Sequence, residues 1–516
     1  MTHAVIFSDI MTIGYGKNTG AYMIATQLRK HGFTCQVVDF FSHYTIDEMI
    51  NIIDKFVDKD TLWVGFSSTF LSRQDESLFE TKKLLNAFEN QNKETLSQLY
   101  DPSMFEGIFP HDTEIMKLLF RYIRHQSSKV KIIVGGSKAS IVQNVDETIR
   151  RIVPDYYITG HADDSIVVFT KWLYNDKKYP EPIFSGPKKN IIDSFRDYEY
   201  SNFNTSKLKF EKEDLVEPNE ILPIEIARGC VFQCKFCNFP LLGKKRGDYT
   251  KTKDTLVEEF IYNYENFGTT GYMFMDETTN DSLEKTEFLL DVTSSLPFKI
   301  SWSGYARIEL YNTYPEMAHI MKETGLVGHF FGIETFNKKS GEAIGKGMHP
   351  DKVKETLKYL KDTWKEDVST TTGIIIGLPH DTKEYVDDLT KFLLSDDCHL
   401  TGFSIYPLIL VDGMGSLFGQ NPGKWGYKFT PGDPLHHWYN EHMTFEQASQ
   451  YANQLRLDTI KRNSLQNFSK MRIANLNFPM EKLNNFTLYD YILNMDEMTN
   501  LLKIKKQLYF NKLMSL

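Results

Sequence analysis

Apolar positions along the first 175 residues alternate between two periods. Residues 4–10, 35–40, 62–67, 131–135 and 156–159 are short apolar runs that predict strands. Residues 18–31, 46–57, 113–125, 147–152 and 165–173 carry the three-to-four-residue spacing of helices. In the second of these, Ile46, Met49, Ile50, Ile53, Phe56 and Val57 fall on one face. Strands alternating with helices predict a parallel, doubly wound (Rossmann/flavodoxin-like) sheet over residues 1–175. The stretch of about 60 residues between the third and fourth strands is long for a crossover and reads as an insertion.

Residues 176–220, which open on the proline-rich DKKYPEPIFSGPKKN, predict a connector. A second alternating series fills 221–410, with strands expected at 221–227, 272–275, 299–305, 329–333, 372–377 and 401–408. Thr255 and Glu258 read as a capping box for a helix over 255–267, and Asp381 with Glu384 repeats the pattern. Such a series is compatible with an open sheet or a partial barrel. Residues 411–516 hold a Gly/Pro-rich loop and then amphipathic patterns, for example 445–456, predicting a mainly helical C-terminal cap.

The composition is that of a folded chain: 516 residues, 41% hydrophobic and 25% charged. A net charge of −9 argues against general nucleic-acid binding. No apolar stretch approaches membrane-spanning length, and MTHAVIFSDI lacks the basic start of a signal peptide, so a cytoplasmic protein without a membrane association is expected. The five cysteines are an odd number, which does not suit a secreted disulfide framework. Cys35 begins an apolar strand and reads as core, and Cys398, in SDDCHL just before the last strand, reads as structural.

The other three are clustered. ARGCVFQCKFCNFP spaces Cys230, Cys234 and Cys237 as C-x3-C-x2-C directly after a strand. Soft thiolates at this spacing suit an iron–sulfur cluster or zinc. A structural zinc would require a fourth ligand, which the neighbouring sequence does not offer. A cubane [4Fe–4S] cluster on three cysteines leaves one iron open to a small molecule. Three buried structural cysteines are the remaining reading.

The motif resembles the radical S-adenosylmethionine (radical SAM) superfamily, whose signature C-x3-C-x-aromatic-C is matched by Cys230, Cys234, Phe236 and Cys237. The resemblance covers about 220–410. It implies a partial (β/α)6 barrel and a [4Fe–4S] cluster whose open iron is chelated by SAM. Reductive cleavage would then give methionine and a 5′-deoxyadenosyl radical. It further implies Phe236 beside the adenine, Asp276 and Glu277 near the methionyl amine, and Arg307 toward the carboxylate. Glu334 of FGIETF would contact ribose or methionine, and Gly373, Ile375 and Gly377 of GIIIGLP would line the adenine. His380 stands where the family often has Glu.

The N-terminal domain is similar to that of the cobalamin-dependent subgroup. IIVGGSKAS supplies Gly135 and Gly136 after the fourth strand, and PDYYITGHADDS places Gly160, His161 and Asp163 after the fifth. The resemblance implies a corrinoid lying over Gly14, Ser67, Ser68, Gly135, Gly136 and Gly160, with Thr69 a further candidate. Met11 stands where cobalamin domains of another type carry a cobalt-ligating histidine, so a cobalt without that ligand is expected. The function implied is a radical SAM enzyme with cobalamin, performing methyl transfer or rearrangement on a substrate the sequence does not name. An external reductant such as flavodoxin or ferredoxin would serve it. A cobalamin-independent radical SAM oxidoreductase and a non-catalytic Fe–S protein are the alternatives.

Overall fold

The computed structural model describes residues 2–10, 14–71, 109–139, 142–194, 203–239, 241–410, 416–430 and 437–516. Met11 and the insertion over 72–108 lie outside the described residues.

The first sheet has the order β2-β1-β3-β4-β5-β7-β6. Its strands are β1 (Ala4–Phe7), β2 (Cys35–Val38), β3 (Trp63–Ser67), β4 (Lys131–Gly135), β5 (Tyr156–Thr159), β6 (Phe184–Ser185) and β7 (Ile191–Asp193). All neighbours pair in parallel except β6 with β7. Helices start at side chains that accept from their first turn: Asn18 from Gly20 for Thr19–Lys30, and Thr45 from Glu48 for Ile46–Phe56. β1 has β2 on one side and β3 on the other, so the strand order reverses at β1, and this reversal opens a crevice at the strands' carboxyl ends. The stretch read as a connector differs in its first half. Residues 184–193 fold into the β6–β7 hairpin, covering an edge of β5 whose amides and carbonyls would otherwise lie unpaired.

The second sheet runs β13-β12-β11-β10-β9-β8, six parallel strands in chain order. They are β8 (Leu222–Ile224), β9 (Gly271–Phe274), β10 (Ser301–Ala306), β11 (Leu326–Glu334), β12 (Ser369–Ile376) and β13 (Gly402–Pro407). No pairing joins β13 to β8 among the described residues, so the barrel is partial. One face of each strand is sealed: Trp302, Ile333, Ile374 and Ile405 are buried. On the other face Tyr305 of β10 and Tyr406 of β13 remain 40% and 44% exposed. Large aromatic side chains on these strands keep that exposure only where the concave face is open.

Two helix starts shift from the expected positions. Thr252, not Thr255, caps Lys253–Phe267, accepting from Thr255 N, while Glu258 pairs on the surface with Lys207. Thr382 caps Lys383–Leu394, because Asp381 is turned back onto the backbone of Gly377 and Leu378.

The C-terminal region reaches both sheets. The helix Asn467–Ala474 lies against the concave face, with Asn467 donating to Val327 O at 2.6 Å and accepting from Ser369 Oγ at 2.7 Å. Asn475 donates to Tyr15 O and Ile221 O and accepts from Ile221 N, joining the loop after β1 to the start of β8. The last helix, Met495–Ser515, returns to the first sheet, where Tyr509 accepts from Asp39 N and Lys506 pairs with Glu48. This part of the tail buttresses the N-terminal sheet. Among the described residues no helix is long and apolar enough to cross a membrane.

Candidate active site

The cysteine loop leaves the carboxyl end of β8 and is held by the segment after β9. Asp276 accepts from Ile226 N at 2.8 Å, Ala227 N at 3.0 Å and Lys285 Nζ at 2.8 Å. Glu277 accepts from Gly229 N at 2.8 Å, and Thr278 Oγ1 lies 3.3 Å from Cys230 Sγ. The two acidic residues assigned by resemblance to the SAM amine therefore face the loop itself. Asp276 is fully engaged there. Burial raises the Glu277 carboxyl to about 7.

Gly229 has φ +77°, and a Cβ there would sit 2.6 Å from the Leu241 side chain. The loop closes on itself through Cys230 N to Leu241 O and Gly243 N to Cys230 O, at 2.9 and 2.8 Å. Arg228, two residues before the first cysteine, forks onto Glu225 and also donates to Asp163 Oδ2 at 2.6 Å. Asp163 follows β5, so the N-terminal domain is wired directly to the cysteine loop. No sequence pattern announced Arg228 in that role.

Cys230, Cys234 and Cys237 are free, half-buried thiols. Arg307, following β10, donates from Nη1 to Cys234 Sγ at 3.1 Å. Its other nitrogens fork onto Glu309 at 3.0 and 2.6 Å, and its plane lies 4.0 Å over the Phe232 ring. Glu334 ends β11 with φ +68°, at a register shift against β12. Burial raises its carboxyl to about 7, against the opposing pull of Lys346 and Arg307. Glu334 is close enough to Cys237 to help burial and the other two thiols push that cysteine up to about 11. Lys346 donates to Gly332 O and lies 4.0 Å from Glu309. Glu309, Lys346, Thr278 and Lys285 were not singled out in the sequence. Only Glu309 carried a local signal, the R-x-E spacing behind a strand.

The β12 residues divide. A Cβ on Gly373 would lie 3.3 Å from Glu334 Oε2, so this glycine lets the Glu334 carboxylate lie against the strand. Ile375 is half-buried on the same face. Gly377 belongs to different packing. At φ +95° its Cβ would fall 2.5 Å from the Trp438 ring, its N–H goes to Asp381 and its carbonyl accepts from Tyr427. Phe236 is half-buried against the core.

The three thiols are soft, reachable donors gathered on one loop, which suits a cluster in which each thiolate binds its own iron. The residues present fit a cluster.

At the N-terminal crevice, Asn18 donates to Ser67 Oγ, Lys138 N to Ser68 Oγ and Ser137 N to Thr69 Oγ1. A Cβ on Gly136, at φ +97°, would meet Thr69 Oγ1 at 2.8 Å, and one on Gly14 would meet the Arg472 backbone at 2.3 Å. These two glycines serve the chain's own packing. Gly135 is open, with nothing nearer to a Cβ than Ile158 at 3.8 Å. Gly160 has φ +82° after β5. Ser8 Oγ, beyond β1, is buried without a hydrogen-bond partner.

Residues 224–393 match the family model of the radical SAM superfamily. An uncharacterized methyltransferase of Pyrococcus horikoshii is 30% identical over 182 residues, 35% of this chain and 38% of that protein's length. The chain thus spans under half of that relative. Among solved structures, the radical S-adenosylmethionine methyltransferase TsrM of Kitasatospora setae, with tryptophan and a SAM analogue bound, aligns with TM-score 0.57 at 12% identity. That alignment covers 84% of this chain and 79% of TsrM. The cobalamin-dependent radical enzyme OxsB with aqua-cobalamin bound aligns with TM-score 0.60 at 14% identity, over 99% of this chain and 72% of OxsB. At these identities the likeness to the two structures concerns the fold.

Proposed function

We propose that this chain, which carries a radical SAM domain over residues 224–393, is a cobalamin-dependent radical SAM methyltransferase. One observation carries the reading: three reachable thiols at the mouth of a partial barrel, with a forked arginine on one side and a buried glutamate on the other. When bound, the cluster supplies the electron that cleaves SAM reductively, and a corrinoid supplies a methyl carrier.

The protein's own part is positioning. Cys230, Cys234 and Cys237 hold the cluster on a loop that Asp276, Glu277 and Thr278 fix to the end of β9. Arg307 presents cationic N–H groups beside Cys234, suited to a carboxylate, while Glu309 keeps its plane in one orientation. Glu334 presents a carboxyl without a hydrogen-bond partner among the described residues, suited to an ammonium or a ribose hydroxyl. Tyr305 and Tyr406 give the concave face an apolar, accessible lining for substrate. The corrinoid would lie across the crevice at β1, β3 and β4, over the open Gly135 and near the orphan Ser8 hydroxyl.

The cobalamin-independent reading has one observation in its favour: Gly14 and Gly136 are already filled by the chain's own atoms. Anaerobic reconstitution tests the core of the proposal. Reduced protein with SAM should yield 5′-deoxyadenosine and methionine, and the variant with all three cysteines changed to Ala should yield neither. Equal turnover by that variant overturns the reading.

A further inference from the structure

Among the described residues three arginines are at least nine-tenths buried: Arg228, Arg307 and Arg472. The first two fork onto glutamates. Arg472, only 8% exposed, has no carboxylate or carbonyl partner for its guanidinium among the described residues. Burial accordingly pulls it down to about 10. A buried, uncompensated charge costs several kcal/mol, so a fold that retains one is expected to have a use for it.

Its position gives that use. The backbone of Arg472 is pinned, its carbonyl accepting from Tyr15 N at 2.9 Å, and Asn467 and Asn475 fix the helix at either end. The side chain runs between the two domains. A Cβ on Gly16 would lie 3.3 Å from Arg472 Cγ and 3.1 Å from Met273 Cε, and the guanidinium carbon lies 5.8 Å from the Phe70 ring centre. On the barrel side, Tyr305 stacks on Phe468 at 5.0 Å and is nevertheless 40% exposed. A cation without a carboxylate partner among the described residues and an accessible aromatic side chain thus share the space between the crevice and the concave face.

We propose that Arg472 anchors the anionic group, a carboxylate or a phosphate, of a substrate whose apolar part lies against Tyr305. The inference rests on the radical SAM reading for the word substrate. The guanidinium fork matches either anion with two parallel hydrogen bonds, and binding would supply a counter-charge that the described residues do not. Gly16 packs closely against Arg472, where any larger residue would press on it.

Cluster-reconstituted protein is titrated calorimetrically with benzoate, phenyl phosphate and neutral benzamide, and its thermal midpoint is followed. One of the two anions should bind and raise the midpoint while benzamide does neither; which of them binds tells carboxylate from phosphate. Arg472→Met should raise the midpoint of the ligand-free protein and weaken the preferred anion at least tenfold. Should that variant not fold, Arg472→Lys, which lacks the fork, should weaken it at least threefold. Unchanged anion affinity in the folded variant overturns the proposal, as does a wild type that prefers neither anion to benzamide. Loss of hydroxocobalamin uptake with anion binding intact also overturns it, since the partner would then be the cofactor's own phosphodiester. Reductive SAM cleavage by the wild type without these anions is scored separately. Its absence removes the radical SAM reading and leaves the anion result standing.

Discussion

Arg307 donates to the sulfur of Cys234 at 3.1 Å while its remaining nitrogens are held by Glu309. Hydrogen bonds to ligand sulfurs and nearby positive charge both favour the reduced, more negative state of a cluster. Arg307→Leu should therefore shift the cluster's reduction potential to a more negative value without lowering iron content. Redox titration followed by electron paramagnetic resonance checks this. A potential that stays put or rises would show that the contact does not tune the cluster.

Asp276 is the brace of the cysteine loop, since it satisfies two backbone amides and Lys285 together. Removing one member of a buried charged pair costs about 3–5 kcal/mol where the other is left uncompensated, and the lower end applies here because Lys285 keeps Asp281 at 3.7 Å. Asp276→Ala should lower the urea stability of apo-protein by about that amount. It should also reduce iron uptake, although no cysteine has changed. Asp276→Asn, which retains an acceptor oxygen, should fall between. Full iron loading in Asp276→Ala would place the loop's rigidity elsewhere.

Much of this was legible because it was local. The strand and helix periods follow from which face each element buries, and the cysteine spacing stands in one short segment. What was not legible depends on distant pairings. Thr252 and Thr255 are equally good caps on paper, and the choice is made where the chain leaves the β8 loop. Asp276 and Glu277 carry acidic chemistry in the sequence, yet backbone amides fifty residues earlier in the chain claim them. Gly377 reads as a ligand-facing glycine until Trp438, from the C-terminal region, is found against it. Arg228 and Arg472 could not be told from surface arginines, since burial and partnership emerge only when the domains meet.

Asp381 is buried and accepts from Gly377 N, Leu378 N and Ser340 Oγ, yet burial outweighs these bonds and raises its carboxyl to about 7 from 3.8. Between those values the folded state binds more protons than the unfolded state. The group's contribution to stability therefore falls as pH rises from about 4 to about 7 and is level above that. Asp381→Asn cannot titrate and keeps an acceptor for the amides. Its stability should vary less steeply across this window, and at pH 7.5 it should equal or exceed the wild type. Urea midpoints of the apo-proteins at several pH values check this; parallel curves would show that the carboxyl does not titrate there.

The neighbouring glycines after β4 make a paired test of the N-terminal crevice. Gly136 is strained for any other residue and would drive a Cβ to 2.8 Å from Thr69 Oγ1. Gly136→Ala should therefore lower stability for reasons internal to the chain. Gly135 has negative φ and finds only Ile158, at 3.8 Å, so its Cβ would be accommodated. A longer side chain at 135 would extend over the carboxyl ends of the strands, where a parallel sheet opens its ligand crevice. Gly135→Leu should retain the wild-type thermal midpoint and lose hydroxocobalamin uptake, read as corrinoid absorbance after desalting. Retained uptake in the folded variant would mean that no corrinoid lies over β4. Failure of the wild type itself to take up hydroxocobalamin would exclude a cobalt methyl carrier and favour radical chemistry at the barrel alone.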